Sequence, residues 1–90
     1  MRNFNEIQEL INECLLNIQD SEKFEAFDLR YSESKQIILL QHDFVTSLKY
    51  DEDCCVELEY STSYYQYDMS NFTKESLTDF LSKIINSLES

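Results

Sequence analysis

The stretch Asp51–Asp68, DEDCCVELEYSTSYYQYD, combines three consecutive acidic residues with an alternating strand pattern and four of the chain's six tyrosines. Successive side chains of a β-strand point to opposite faces. The pattern therefore predicts a strand with one face in the core and the other towards water or a partner. The core face would carry Cys54, Val56, Leu58 and Tyr60, and the outer face Cys55, Glu57, Glu59 and Ser61.

The two ends of this stretch have different characters. Carboxylates cannot be buried without partners, so the acidic residues 51–53 are predicted to form the tip of a hairpin that presents three carboxylates together. At the other end, residues 61–67 have high β propensity and no aliphatic side chain. Tyrosines here are typical of recognition surfaces, because the ring can be buried while the hydroxyl stays hydrated. The alternative is that these rings cover the edge of a small core.

Residues before this stretch begin with an amphipathic pattern at steps of three and four. Its apolar members are Phe4, Ile7, Leu10, Ile11, Cys14, Leu15 and Ile18. They predict a helix that starts near Asn3, with Glu6 at the capping-box position, and ends near Gln19 or Asp20. Its outer face would carry a negative stripe, formed by Glu6, Glu9, Glu13 and Asp20. No lysine or arginine lies between Arg2 and Lys23, so the stripe is either an ordinary solvated face or a surface for an external partner.

The middle of the chain changes to a period of two. From Phe24 onward, alternation places Phe27, Leu29 and Tyr31 on one face of a first strand. The polar residues 32–35 predict a turn, and the apolar run 36–42 predicts a central strand that continues towards Tyr50, with a bulge near His42 and Asp43.

A second helix is predicted at the end of the chain, in an element that begins at Ser70. Thr73 is the expected N-cap, with Phe72 and Leu77 at hydrophobic-staple spacing. The buried stripe would comprise Leu77, Phe80, Leu81, Ile84 and Leu88, with Ile85 beside it. The predicted fold is a single α+β domain, residues 1–90: a helix, a three-stranded antiparallel meander and a helix (α-β-β-β-α), with the helices on one face of the sheet.

Composition limits the classes of function. The 90 residues include 18 acidic and 7 basic side chains, a net charge of −11. Direct nucleic-acid binding is disfavoured, because it relies on lysine and arginine contacts with phosphates; the expected partner is a basic protein surface. Glycine and proline are absent, which excludes a glycine-rich phosphate loop. Cys54 and Cys55 are adjacent in a set of three cysteines, which favours reduced thiols and a cytoplasmic location.

The chain contains no catalytic, metal or membrane signature. A structural role is expected for His42, the single histidine, and neither a zinc site nor a calcium loop matches the spacing. No nucleophile or phosphate-binding motif occurs, so we expect no enzyme and no cofactor. The longest apolar run is too short to cross a bilayer, and residues 1–3 do not begin a signal sequence, so a soluble, unprocessed protein is expected.

The chain is small, acidic and free of glycine, and its composition has the Asn, Ile and Lys character of AT-rich genes. Together with the element order, this resembles small acidic phage proteins that disarm host defence, notably anti-CRISPR proteins of the DNA-mimic type. The resemblance covers the general character of the whole chain, and no motif is shared. It implies an inhibitor in the bacterial host cell that binds a Cas effector, or another nuclease, at the site that reads nucleic acid. The carboxylates that would replace phosphates are Glu6, Glu9, Glu13, Asp51, Glu52, Asp53, Glu57 and Glu59, and the candidate contact tyrosines are Tyr64, Tyr65 and Tyr67.

Three alternatives share the same sequence features. An immunity protein or antitoxin against a basic nuclease toxin would use the same acidic surface. A dimeric secretion chaperone would also be small and acidic, but it would bury apolar segments of its substrate. A structural domain could carry its charge merely for solubility. The chain itself is expected to be a monomer or a dimer.

Overall fold

Two helices and three strands follow one another in the predicted order. The computed structural model describes residues 2–50, 52 and 56–88. Helix α1 spans Phe4–Leu15 and helix α2 spans Lys74–Ser87, with strands β1 (Asp28–Ser32), β2 (Ile37–Tyr50) and β3 (Val56–Asp68) between them. Short 3-10 helices cover Ser21–Ala26 and Met69–Asn71. The predicted α-β-β-β-α fold is therefore confirmed.

The sheet is an antiparallel meander in the order β1-β2-β3, but its strands differ greatly in length. Strand β1 pairs with residues 37–41 of β2, whereas β3 pairs with β2 over residues 37–50. The paired segments 42–50 and 56–63 thus continue as a two-stranded ribbon, which we call the arm. The Cα radius of gyration is 16.2 Å, against about 12 Å for an ordinary domain of this length. The arm accounts for this elongation, and the longest axis measures 54 Å.

Both helices pack on the same face of the sheet, as predicted. Side chains from α1, the sheet and α2 meet in one core, which has Ile38 and Leu40 of β2 at its centre. The fully buried large side chains are Ile7, Ile11, Ile38, Leu40, Leu77, Leu81 and Ile85. Ile85 therefore lies inside the buried stripe of α2 and not beside it. The other face of the sheet has no helix over it among the described residues; we call it the open face.

The helix N-termini follow the capping signals, but α1 is shorter than predicted. Asn3 Oδ1 accepts the Glu6 N–H at 3.0 Å, and Thr73 Oγ1 accepts the Ser76 N–H at 3.0 Å. Helix α1 ends at Leu15, not near Asp20, whose positive φ of 61° redirects the chain. Ile18 still packs against the core from the following turns, which is why the apolar period continues past the helix.

Because the chain changes direction at Asp20, the first strand begins later than predicted. Phe24 lies in the 3-10 helix Ser21–Ala26 instead of a strand, and its ring packs 5.9 Å from that of Phe27. The turn predicted at residues 32–35 lies at residues 33–36, with Gln36 at a positive φ of 56°.

The irregularity in β2 lies further along the strand than predicted. Val45 pairs with Tyr60 and Ser47 with Glu59, so Thr46 is the extra residue, not His42 or Asp43. Its hydroxyl donates to the Glu59 carbonyl at 3.3 Å. The extra residue shifts the alternation, so that Val45 and Leu48 lie on the same face of the arm.

The core face of β3 is the reverse of the one predicted. Tyr65 and Tyr67 lie opposite Leu40 and Ile38, and they take the positions under the helices. Even-numbered residues therefore lie on the open face, where Leu58 is 40% and Tyr60 is 62% exposed. The prediction failed because alternation defines two faces but does not say which of them the helices cover. Cys54 and Cys55 lie outside the described residues.

Candidate protein-interaction surface

The acidic stripe of α1 is exposed but partly neutralised. Glu6, Glu9 and Glu13 all lie on the solvent side of the helix. Glu13 forms an ion pair with Lys74 at the start of α2, with 2.8 Å between Oε2 and Nζ. The hydrogen bond to Glu13, followed by its charge, raises the pKa of Lys74. Spacing within α1 could not reveal this counter-charge, because it comes from 61 positions away in the sequence.

A second concentration of acids occurs in the sequence of the arm and of the residues that join its two strands. Between positions 43 and 59 the sequence contains six acidic residues and one lysine. Glu52 is exposed, and Glu59 forms an exposed ion pair with Lys49 at 2.9 Å. Asp51 and Asp53 lie outside the described residues, as does the side chain of Glu57. An exposed pair of this kind contributes little to stability.

Asp43 is an acidic group that the sequence did not single out. Its carboxylate accepts hydrogen bonds from Thr62 Oγ1 at 2.6 Å and from Gln41 Nε2 at 3.2 Å. These bonds, with that from Thr62 the stronger, lower the pKa of Asp43. The expected bulge at this position concealed the cross-strand pairing of Asp43 with Thr62. A fixed carboxylate therefore lies on the open face where the arm begins.

The three candidate tyrosines divide between the two faces of β3. Tyr64 is 73% exposed on the open face. Tyr65 is half-buried, with its ring edge-on to Phe27 at 5.9 Å. Tyr67 is 9% exposed and donates its hydroxyl to Ser76 Oγ at 3.1 Å, so its ring belongs to the core and is not available as a surface contact.

The open face of the arm, together with the adjoining residue Tyr64, carries exposed apolar and aromatic side chains that the sequence analysis did not predict as a surface. Five large apolar or aromatic side chains there are at least 40% exposed. They are Val45, Leu48, Leu58, Tyr60 and Tyr64, and we call them the arm patch. Asp43 and Thr62 pair on the same face between Tyr64 and the other four. Exposed apolar groups set among polar residues are typical of protein interaction surfaces. The reading missed the patch because it assigned Leu58 and Tyr60 to the core.

The single histidine packs between aromatic rings on the helix-covered face. The His42 ring lies 5.3 Å from that of Phe27 and 5.7 Å from that of Phe44, with which it stacks. It lines a recess of about 270 Å³ with Ser63 and residues at the end of α2. Within residues 2–50, 52 and 56–88, no three side chains of the His, Cys, Asp or Glu type are grouped so that they could hold a metal ion.

Among the described helices, none is both long enough and apolar enough to cross a membrane. Comparison of the chain with family models, curated proteins and solved structures gave no significant match.

Proposed function

We propose that this chain is a small acidic inhibitor that binds a basic nucleic-acid-binding protein, a Cas effector or another nuclease, and blocks its nucleic-acid site by charge mimicry. The observation that supports the proposal is the acidic arm. It extends past β1 as a ribbon of nine residues in β2, roughly 30 Å long at about 3.3 Å per residue. Two paired strands form a narrow element that can enter a groove shaped for nucleic acid.

The distribution of charge suits such a groove. Residues 43–59 combine six acids with one lysine, and Lys49 is paired with Glu59. Glu6 and Glu9 add exposed carboxylates on the body of the molecule. Opposite charges accelerate encounter with a basic surface and select against acidic ones. The arm patch supplies apolar contact area, which charge alone does not provide.

The first step of the test is capture of the partner. The tagged protein is incubated with bacterial lysate, washed with increasing salt, and the retained proteins are identified by mass spectrometry. We expect a basic nuclease or Cas effector that salt releases and that DNA competes away. Added protein should then inhibit DNA binding by the purified partner.

The second step locates the contact with three double charge reversals that alter the net charge by the same amount. One changes the acidic residues that join β2 and β3 in the sequence (Asp51→Lys with Asp53→Lys), and one changes α1 (Glu9→Lys with Glu13→Lys). The matched control changes exposed acids of α2 (Glu75→Lys with Asp79→Lys). In the first two variants, loss of local contacts should weaken binding about tenfold or more and reduce its salt dependence. The α2 control should weaken binding by a smaller factor. Unchanged affinity in both test variants would rule out charge mimicry.

A further inference from the structure

The edge of β3 that faces away from β2 has no strand paired to it in the described part of the chain. Among the described residues, β2 is the one strand beside β3. Natural edge strands are usually short, or they carry proline, charged side chains (lysine above all) or a bulge that prevents pairing with another chain. Strand β3 has 13 residues with no proline and no lysine. Its charged residues, Glu57, Glu59 and Asp68, lie outside the run 60–67, and the bulge of this ribbon lies in β2. A strand of this length and composition is a template for a further strand.

One hydrogen bond shows which residues of β3 direct their backbone N–H and C=O groups away from β2. Met69 N–H donates to the Gln36 carbonyl at 2.8 Å, next to the pair formed by Ile37 and Asp68. Hydrogen-bonded and non-hydrogen-bonded pairs alternate along an antiparallel ladder. Odd-numbered residues of β3 therefore face β2, in agreement with the bond from Thr46 to the Glu59 carbonyl. The even-numbered residues 60, 62, 64 and 66 direct their N–H and C=O groups outward.

We propose that this edge pairs antiparallel with the β3 edge of a second copy of the chain, about a two-fold axis at Thr62. Thr62 is the midpoint of Val56–Asp68, so this register uses the entire strand. It places every outward-facing residue opposite another outward-facing residue, as hydrogen bonding requires. The product is a six-stranded sheet with a self-complementary interface.

The side chains of β3 suit this register. On the open face, Tyr60 lies opposite Tyr64 of the second copy on both sides of the axis, and aromatic cross-strand pairs are favourable. Residues 60–67 carry no charge. Glu59 lies opposite Tyr65 of the second copy, so no carboxylate of β3 directly faces another. Tyr60 and Tyr64 belong to the arm patch, and pairing would extend that patch across both copies.

The helices do not obstruct the pairing. Because the strands run antiparallel, the helix-covered end of each copy lies beside the bare arm of the other. A recess of about 430 Å³ lies between α2 and the end of β3, lined in part by Tyr67, Phe80 and Lys83. The register brings the side of the second copy's arm that carries Glu59 towards this recess. Lys83 offers a counter-charge there, while Glu75 and Asp79 also line the recess. We therefore assign the pairing to the backbone edge and the tyrosines and not to this charge contact.

The uncharged run 60–67 takes no part in charge attraction to a basic partner, and a second copy would use its backbone edge. The inference therefore does not rest on the proposed function. The two associations also respond to salt in opposite directions. Each copy carries a net charge of −11, so screening should strengthen the dimer, whereas it weakens binding to a basic partner.

The experiment measures mass by light scattering and sedimentation from roughly 1 µM to 1 mM protein, at low and high salt. The wild type should change from the 10.8 kDa monomer to a dimer, at lower concentration in high salt. Thr62→Pro removes an outward N–H at the axis without removing a backbone hydrogen bond to β2. The matched control, Asp43→Pro, places proline on the same rung at the opposite edge of the ribbon. Both variants lose the Thr62–Asp43 side-chain bond, so they differ in which edge they block.

We expect Thr62→Pro to raise the dimer dissociation constant by about tenfold or more, and Asp43→Pro to leave it close to the wild-type value. Circular dichroism establishes that both variants are folded. A second measurement does not depend on variants: in the dimer, the amides of residues 60, 62, 64 and 66 should gain protection from hydrogen exchange as protein concentration rises. A wild type that stays monomeric throughout, or a dimer that lacks this alternating protection, would overturn the proposal.

Discussion

At the scale of single residues, two leucines in opposite environments test the division between core and arm. Leu81 is fully buried, and Leu48 is 52% exposed. Leu81→Ala should lower the free energy of unfolding by about 2–5 kcal/mol, because it leaves a cavity, whereas Leu48→Ala should change it by about 0.5 kcal/mol or less. Urea denaturation at low protein concentration, followed by circular dichroism, measures both. Equal losses for the two variants would contradict the exposure of the arm patch.

Residue-scale predictions from the sequence succeeded where the determinant is local. Asn3 and Thr73 are helix caps, since an N-cap needs only its own side chain and the N–H three residues later. The predictions failed where the environment of a residue depends on contacts with residues far away in the sequence. Tyr64 and Tyr67 have the same local signals, but one is exposed and the other is buried against α2. The charge of Glu13 is likewise balanced by Lys74, a residue near the other end of the chain.

At the scale of elements, the arm should be the least stable part of the sheet. Residues 37–41 of β2 have a strand on each side and helices over one face, whereas residues 42–50 pair with β3 alone. An isolated two-stranded ribbon is marginally stable in water. Backbone amides of residues 42–49 that bond to β3 should therefore exchange with solvent through local opening, well before global unfolding exposes residues 38 and 40. Native-state hydrogen exchange by nuclear magnetic resonance measures this. Equal protection along all of β2 would contradict it.

At the scale of the whole molecule, elongation is the property to measure. A Cα radius of gyration of 16.2 Å requires that the arm extends away from the core. Small-angle X-ray scattering, extrapolated to low concentration, should give a value a few Å larger because of side chains and hydration, with a longest dimension above 54 Å. If the arm folded back on the core, the measured radius would approach the roughly 12 Å of an ordinary domain.

The sequence by itself determined the element order, the helix starts and the net charge. These depend on the period of apolar residues and on contacts within one turn, which a short window of sequence contains. It also located the acids and tyrosines, but not the surfaces that they form.

Tertiary structure decided which face of β3 the helices cover, and hence that Tyr67 is core while Leu58 and Tyr60 are exposed. It also decided that β1 pairs with residues 37–41 of β2 only, so that the remainder of β2 forms the arm with β3. The order of the strands in turn leaves β3 at an edge of the sheet. The physical reason is that strand alternation is symmetric between the two faces, while strand pairing and helix packing are long-range contacts. A choice between two equivalent faces is made only when distant segments of the chain bury one of them.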